Sequence, residues 1–398
     1  MSEEPRSGQG RFPASFWLLS VSSMLAGGYA IMLLSLTLMY GNDSGYSSAA
    51  AGFLSSVFAF SSLGARPFTG LWCDRRSKRA LLILAAAGFA VTPVGFLLHA
   101  PYGVLVAVRI VQGICLSVAT TAAGALATEL IPRGRFTEGI GYYGIGMAAS
   151  SAIAPGVGLW LHSSFGYLGV FLFSSILGVA VIALTLPVAV PAARREQGTV
   201  RARGSFLREM VEPTALFATA VTLVLSVAQV TVMQFLSYFT GEWGMSGTGL
   251  FYPVSAVAVI GLRAGAGQLR RWASERRILF AGFLLLIAAY GGLSLFHPSA
   301  VLLAALALFY GLGHSMSGMV LNSMAVADAP PERVGAANAT YLSASDLGYA
   351  LGPILWNVYC AQSGYRSMFA IAAVLVTAML LVVCANFSIK KRETETGK

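Results

Sequence analysis

Residues 334–360 read VGAANATYLSASDLGYALGPILWNVYC, an apolar run broken by one acidic residue, Asp346, near its middle. Crossing a bilayer takes about 20 predominantly apolar residues, and this run is long enough. A carboxylate in hydrocarbon is costly, so such a group faces a protein interior or a wet cavity and often carries protons or ions. Transport is therefore the first hypothesis the chain suggests.

Similar runs recur on both sides of this one. Apolar spans can be drawn at about 17–39, 48–70, 80–98, 102–128, 138–161, 167–189, 214–239, 248–269, 278–296, 299–326, 334–360 and 366–388. Of the 398 residues 56% are hydrophobic and only 11% charged, with a mean hydropathy of +0.72. A water-soluble fold of this size would need far more charge to cover its surface. The expected fold is an all-α polytopic membrane protein with twelve transmembrane helices.

The net charge of +10 could suggest nucleic acid, but the basic residues are distributed by topology. The even-numbered connections hold Arg75, Arg76, Lys78 and Arg79, then Arg133 and Arg135, then Arg194, Arg195, Arg201, Arg203 and Arg208, then Arg270, Arg271, Arg276 and Arg277, then Arg333. The odd-numbered ones hold Arg366 alone. The positive-inside bias makes the even loops cytoplasmic; Arg6 and Arg11, with Lys390, Lys391 and Arg392, place both termini there. The expected setting is the cell inner membrane, with the lipid bilayer and no nucleic acid as partner.

Shifted by 198 residues, the sequence matches itself. Gly113 falls on Gly311, Pro132 on Pro330, Arg135 on Arg333, Tyr143 on Tyr341, Pro155 on Pro353, Gly166-Tyr167 on Gly364-Tyr365 and Phe171 on Phe369. With one residue of slip Arg66 meets Arg263, Gly70 meets Gly267 and Arg79 meets Arg276. Six helices per half keep both copies in one orientation, which predicts two pseudo-symmetric six-helix bundles, 1–189 and 213–398, joined by a basic cytoplasmic linker at 190–212. Duplication of this kind predicts a binding site where the halves meet, near the midplane, exposed alternately to either side.

The four cysteines, Cys73, Cys115, Cys360 and Cys384, have no paired or metal-type spacing and read as small core residues. No metal or cofactor is implied. The first apolar run is too long for the core of a cleavable signal, so the first helix is expected to be retained.

Three motifs carry a resemblance. The loop after the second span runs Gly70, Leu71, Trp72, Cys73, Asp74, Arg75, Arg76, Ser77, Lys78, Arg79 and is similar to the major facilitator superfamily signature G-x-L-x-D-R-x-G-R-R, with Ser77 in place of the second glycine. A carboxylate among arginines at a helix end can hold two helices together in one state and release them in another; the plainer alternative is a positive-inside anchor. Arg109, Gln112 and Gly113 resemble the R-x-x-Q-G signature of the proton-coupled members. The fifth span carries Ser150, Ala154, Pro155, Gly158 and Leu159, similar to the antiporter signature G-x-x-x-G-P-x-x-G-G with three glycines replaced. The eleventh repeats it more closely as Gly348, Gly352 and Pro353. The chain thus resembles, over nearly its whole length, the twelve-helix drug:proton antiporters of that superfamily, which implies a proton-driven exporter of small, often amphipathic molecules.

Asp346 is the first candidate for the proton site, its alternative role being a structural hydrogen bond. Arg109 can tune a neighbouring acid or, being about two turns from its helix end, snorkel to the surface. His314 is the next titratable candidate, or a packing residue beside Ser315 and Ser317. Glu129 and Glu138 are expected to pair with Arg133, Arg135 or the first gate loop. Gly70, Asp74, Arg75, Lys78 and Arg79 form the expected gate loop. Gln112, Gln229, Gln234, Tyr238, Asn322, Asn338 and Tyr341 are candidate cavity-lining groups, and Pro155, Gly352 and Pro353 are expected to bend their helices.

The reading is a monomeric, proton-coupled secondary transporter that exports a small molecule by alternating access. The rival within transport is proton-coupled uptake or export of a specific metabolite or metal chelator. An intramembrane enzyme or sensor would show a catalytic cluster such as H-E-x-x-H or G-x-S-x-G, and neither is written in the chain; nor is a phosphate-binding G-x-x-x-x-G-K-[ST] loop.

Overall fold

A computed structural model describes residues 11–132, 135–189, 212–244, 250–297, 299–330 and 334–396. All of the 190–212 linker except Glu212, together with Arg133, Arg333 and the first ten residues, lies outside the described residues. The helices are α1 (Ala14–Asp43), α2 (Ser48–Arg75), α3 (Lys78–Val91), α4 (Val94–Leu97), α5 (Tyr102–Leu130) and α6 (Phe136–Thr185), then α7 (Leu216–Gly241), α8 (Phe251–Ala264), α9 (Ala266–Trp272), α10 (Glu275–Leu295), α11 (Ala300–Ala327) and α12 (Val334–Thr396). All regular structure among the described residues is helical, as the apolar spans require: in lipid only helices and closed barrels satisfy every backbone group.

Two helices are too long for one crossing. α6 has 50 residues and α12 has 63, and each is interrupted at a single glycine, Gly166 (φ 63°, ψ −164°) and Gly364 (φ 78°, ψ 167°). Only glycine adopts that combination without strain, so the chain turns there between two crossings. These are the two glycines that the 198-residue shift superposes. Nine helices among the described residues are long and apolar enough to cross, with Phe251–Ala264 as a shorter apolar one. Counting α6 and α12 twice and α8 with α9 once, the chain makes twelve crossings, where the sequence places them.

The starts of α3, α10 and α11 are capped. The Ser77 hydroxyl accepts from the Ala80 N–H at 3.4 Å, Ser274 from Arg277 at 3.5 Å and Ser299 from Leu302 at 3.3 Å. Each satisfies one of the backbone donors that a helix start leaves unpaired. Ser77, the departure from the family signature, therefore serves as the N-cap of α3, and its φ of −60° needs no glycine.

By contact the chain divides into two compact units, Met1–Thr37 with Val57–Arg201, and Leu38–Ser56 with Ala202–Lys398. In the first, α3 packs on α5 and α6; in the second, α10 packs on α11 and α12. The copies agree in detail. A Cβ on Gly113 of α5 would collide with the Phe58 carbonyl oxygen of α2, and one on Gly311 of α11 would lie 2.6 Å from the Ser255 carbonyl oxygen of α8. Phe58 and Ser255 are themselves related by the one-residue slip, so one close helix crossing occurs twice. Gly95 against Val108 and Gly292 against Leu306 repeat a second contact.

Candidate transport site

In the first unit the apolar helices enclose one cation. Arg109 on α5 is 0% exposed, which rules out snorkelling to the surface. Its Nη1 donates to Gln112 Oε1 at 2.9 Å, one turn along the helix, and its guanidinium lies 4.4 Å from the centroid of the Phe58 ring. Hydrogen bonding and the ring quadrupole thus share the charge. Gln112 is also fully buried, and its amide nitrogen has no partner among the described residues. Nearby, the Tyr29 hydroxyl and Thr92 Oγ1 are 3.2 Å apart and the Tyr29 ring packs on Phe89 at 4.3 Å. α1 and α6 border an apolar cavity of about 140 Å³, lined by Met24, Gly28, Met32, Ile153, Val157 and Phe173 among others.

The gate loop is partly visible. Lys78 Nζ lies 2.7 Å from Glu129 Oε1, joining α3 to the end of α5, and Arg79 donates to the Leu186 carbonyl at the end of α6. A cation at a helix C-terminus is favoured by the unpaired carbonyls there. Both residues are thus engaged inside the first unit. Gly70 is half-buried in α2, while the side chains of Asp74 and Arg75 lie outside the described residues, as does that of Glu138. Arg135 stacks over Phe12 at 4.4 Å.

The second unit is richer in polar groups. On α7 the Gln229 carbonyl oxygen accepts from the Tyr349 hydroxyl of α12 at 2.7 Å, and the Val227 carbonyl accepts from the Trp356 indole at 2.8 Å. Tyr341 of α12 donates to the Gly318 carbonyl of α11 at 3.2 Å. His314, half-buried on α11, lies parallel to Tyr310 (5.7 Å, 3°), and Tyr310 meets Tyr290 edge-on at 6.1 Å. Asp346 is half-buried on α12, one turn before Tyr349 and within electrostatic range of its phenol. Asn322 is half-buried on α11, and the Asn338 side chain lies outside the described residues.

A second polar group lies where α1 meets α2. Asn42 Nδ2 donates to the Tyr238 hydroxyl at 3.2 Å, and Asn357 Nδ2 donates to the Ser48 carbonyl at 2.6 Å and to Asn42 Oδ1 at 3.4 Å. Ser55 donates to Gln234 Oε1 at 3.5 Å, while the Gln234 amide nitrogen has no partner among the described residues. Tyr238 stacks on Tyr365 at 5.9 Å. Pro155 and Pro353 stand within helical backbone, and a Cβ on Gly352 would come 2.7 Å from Val230 Cγ2, so α12 approaches α7 closely there.

The second unit thus presents amide, phenol and ring surfaces of the kind that hydrogen-bond and stack with organic molecules, while the first unit carries the buried guanidinium of Arg109. Sequence reasoning missed Asn42, Asn357, Tyr290, Tyr310 and Tyr349. Only Tyr349 had a signal, its position three residues after Asp346 on one helix face.

Residues 16–353 and 275–398 match the family model of the Major Facilitator Superfamily. The chain is 25% identical over 348 residues to the multidrug resistance protein MdtG of Dickeya zeae, covering 84% of this chain and 82% of that one. It is 19% identical over 347 residues to multidrug resistance protein 1 of Bacillus subtilis, covering 86% and 88%. With the staphylopine export protein of Staphylococcus aureus it shares 21% over 367 residues, covering 86% and 88%. Its fold matches the crystal structure of the nucleoside transporter NupG (TM-score 0.73, 12% identity, 94% and 99% covered). It also matches a bacterial homologue of the human lysosomal transporter Spinster, inward-facing and unoccupied (TM-score 0.71, 18% identity, 96% and 98% covered). With twelve membrane crossings, repeated halves and a family match over most of its length, the chain belongs to the major facilitator superfamily, as a multi-pass secondary transporter.

Proposed function

We propose that the protein is a proton-coupled exporter of a small organic molecule across the cell inner membrane, and not an enzyme. The observation that carries this is Arg109, fully buried on α5 and bonded to Gln112 within an R-x-x-Q-G sequence. A cation so enclosed interacts strongly with any acid or substrate that enters. The multidrug and staphylopine export names of the relatives support the outward direction.

In this reading Asp346 loads and releases the proton, with Arg109 and His314 tuning the exchange. Gln112, Gln229, Gln234, Tyr238, Asn322, Asn338 and Tyr341 face the substrate. The gate loop Gly70, Asp74, Arg75, Lys78 and Arg79 stabilises one state of the cycle, and Pro155, Gly352 and Pro353 shape the helices that move. The repeats 1–189 and 213–398, linked by 190–212, alternate access as a monomer. Both termini are cytoplasmic, and nucleic acid is no partner. A second reading is proton-coupled uptake or export of a specific metabolite or metal chelator; a relative named for the export of one compound, staphylopine, favours a dedicated substrate.

Inside-out vesicles acidified in their lumen test the coupling. Compounds from a panel of organic cations and carboxylates should accumulate, and adding a transported one should dissipate the gradient, because proton and substrate weaken each other's binding reciprocally. Co-movement of substrate and protons would identify a symporter and overturn export.

A further inference from the structure

We propose that the second unit holds a binding site for an anionic group, a carboxylate or phosphate, built on Arg263. Arg263 stands in the last turn of α8. Its Nε is shut off from solvent and takes no hydrogen bond among the described residues, and no described carboxylate forms an ion pair with it. The residue as a whole is only half-buried, and neither terminal nitrogen is among the buried unpaired atoms. The guanidinium therefore has a buried stem and an open fork, the geometry that grips a carboxylate or phosphate with two parallel bonds.

Arg109, the fully buried arginine of the first unit, shows how such a charge can be settled: it meets Gln112 and the Phe58 ring. Arg366, whose Nε and one Nη are also buried without a hydrogen bond among the described residues, has the Trp243 ring centroid 5.1 Å away. Among the described residues the Tyr341 phenol and the His314 imidazole lie within electrostatic range of Arg263. Tyr341 gives its proton to the Gly318 carbonyl, and His314 is held flat against Tyr310, so neither supplies a counter-charge. A buried charged donor with no partner is costly, and an entering anion removes that cost.

The approach to the site is basic as well. Arg270, Arg271, Arg276 and Arg277 are exposed on α9 and α10, the first of them 3.8 Å from the Glu275 carboxylate. Such a patch raises the local concentration of anions at the protein surface. The anionic group could belong to a transported carboxylate or to a lipid headgroup phosphate. The inference rests on the chain being a carrier of small molecules, and on neither proton coupling nor direction.

The test is equilibrium binding to the full chain in phosphatidylcholine nanodiscs, with 1-naphthoate and its neutral match 1-naphthamide as probes and no gradient imposed. Arg263→Gln should weaken naphthoate binding at least tenfold, because the charge and the two-bond fork are both lost, and leave naphthamide unchanged; Arg263→Lys, which keeps the charge but not the fork, should bind naphthoate with an affinity between the two. Exchanging phosphatidylcholine for phosphatidylglycerol separates the sources: competition in the wild type and not in Arg263→Gln assigns the site to a headgroup, and unchanged binding assigns it to a soluble carboxylate. Absence of naphthoate binding by the wild type, equal affinity in wild type and Arg263→Gln, or parallel loss of both probes in both variants overturns the proposal. Because no gradient is used, failure of proton-driven export leaves the result intact.

Discussion

The ammonium of Lys78 lies 2.7 Å from the Glu129 carboxylate, tying the start of α3 to the end of α5. Both side chains are partly exposed, 26% and 40%, so the pair contributes at most about 1 kcal/mol to stability. Its effect should appear in the transport cycle. Glu129→Gln is expected to shift Tm by only a few degrees while changing the transport rate, and the exchange Lys78→Glu with Glu129→Lys should restore that rate. A swap no better than either single variant would remove the pair from the mechanism.

Gly311 lies against the Ser255 carbonyl, with no room for a side chain. Gly311→Val should therefore force α8 and α11 apart and cost about 1–3 kcal/mol or more, the range for overpacking a tight interior. Gly318→Ala on the same helix, where an added Cβ meets nothing within 4 Å, is the control. Thermal unfolding in detergent checks both, and equal Tm values would contradict the close crossing.

Tyr349→Phe should leave the Gln229 carbonyl oxygen unpaired at 5% exposure and cost about 1–3 kcal/mol. Gln229→Leu alone should strand the phenol in the same way. The double variant should be less destabilised than the two singles added, because neither partner is then left alone. Additive losses would show that the bond is not formed in the membrane.

Asp346→Asn keeps size and polarity but cannot carry a proton. Gradient-driven transport is expected to stop, with ligand binding retained. A variant that still concentrates substrate under an imposed pH gradient would leave Asp346 structural and make His314 the next candidate.

Reporter fusions after Thr240 and after Lys398 should report opposite sides of the membrane, since basic residues gather in every even loop. The same side at both points would overturn the twelve-helix topology, because an odd number of crossings must separate them.

The sequence alone determined what depends on local chemistry and length. Twelve crossings follow from apolar runs each near bilayer thickness, and duplication from matched positions such as Gly113 and Gly311 or Gly166 and Gly364. What each residue touches was decided only by tertiary packing. At the sequence level Arg109 could snorkel or be buried; the Phe58 ring and the walls of neighbouring helices make it wholly buried. Gln229 read as cavity-lining, and its bond to Tyr349 arises because Gly348 and Gly352 let α12 approach α7. In the sequence Ser77 is only a departure from the signature's second glycine; its capping role follows from where the first N–H groups of α3 lie. Arg263 was visible only as a repeat match, because whether a guanidinium finds a partner depends on helices distant in sequence, and no periodicity along one helix encodes that distance.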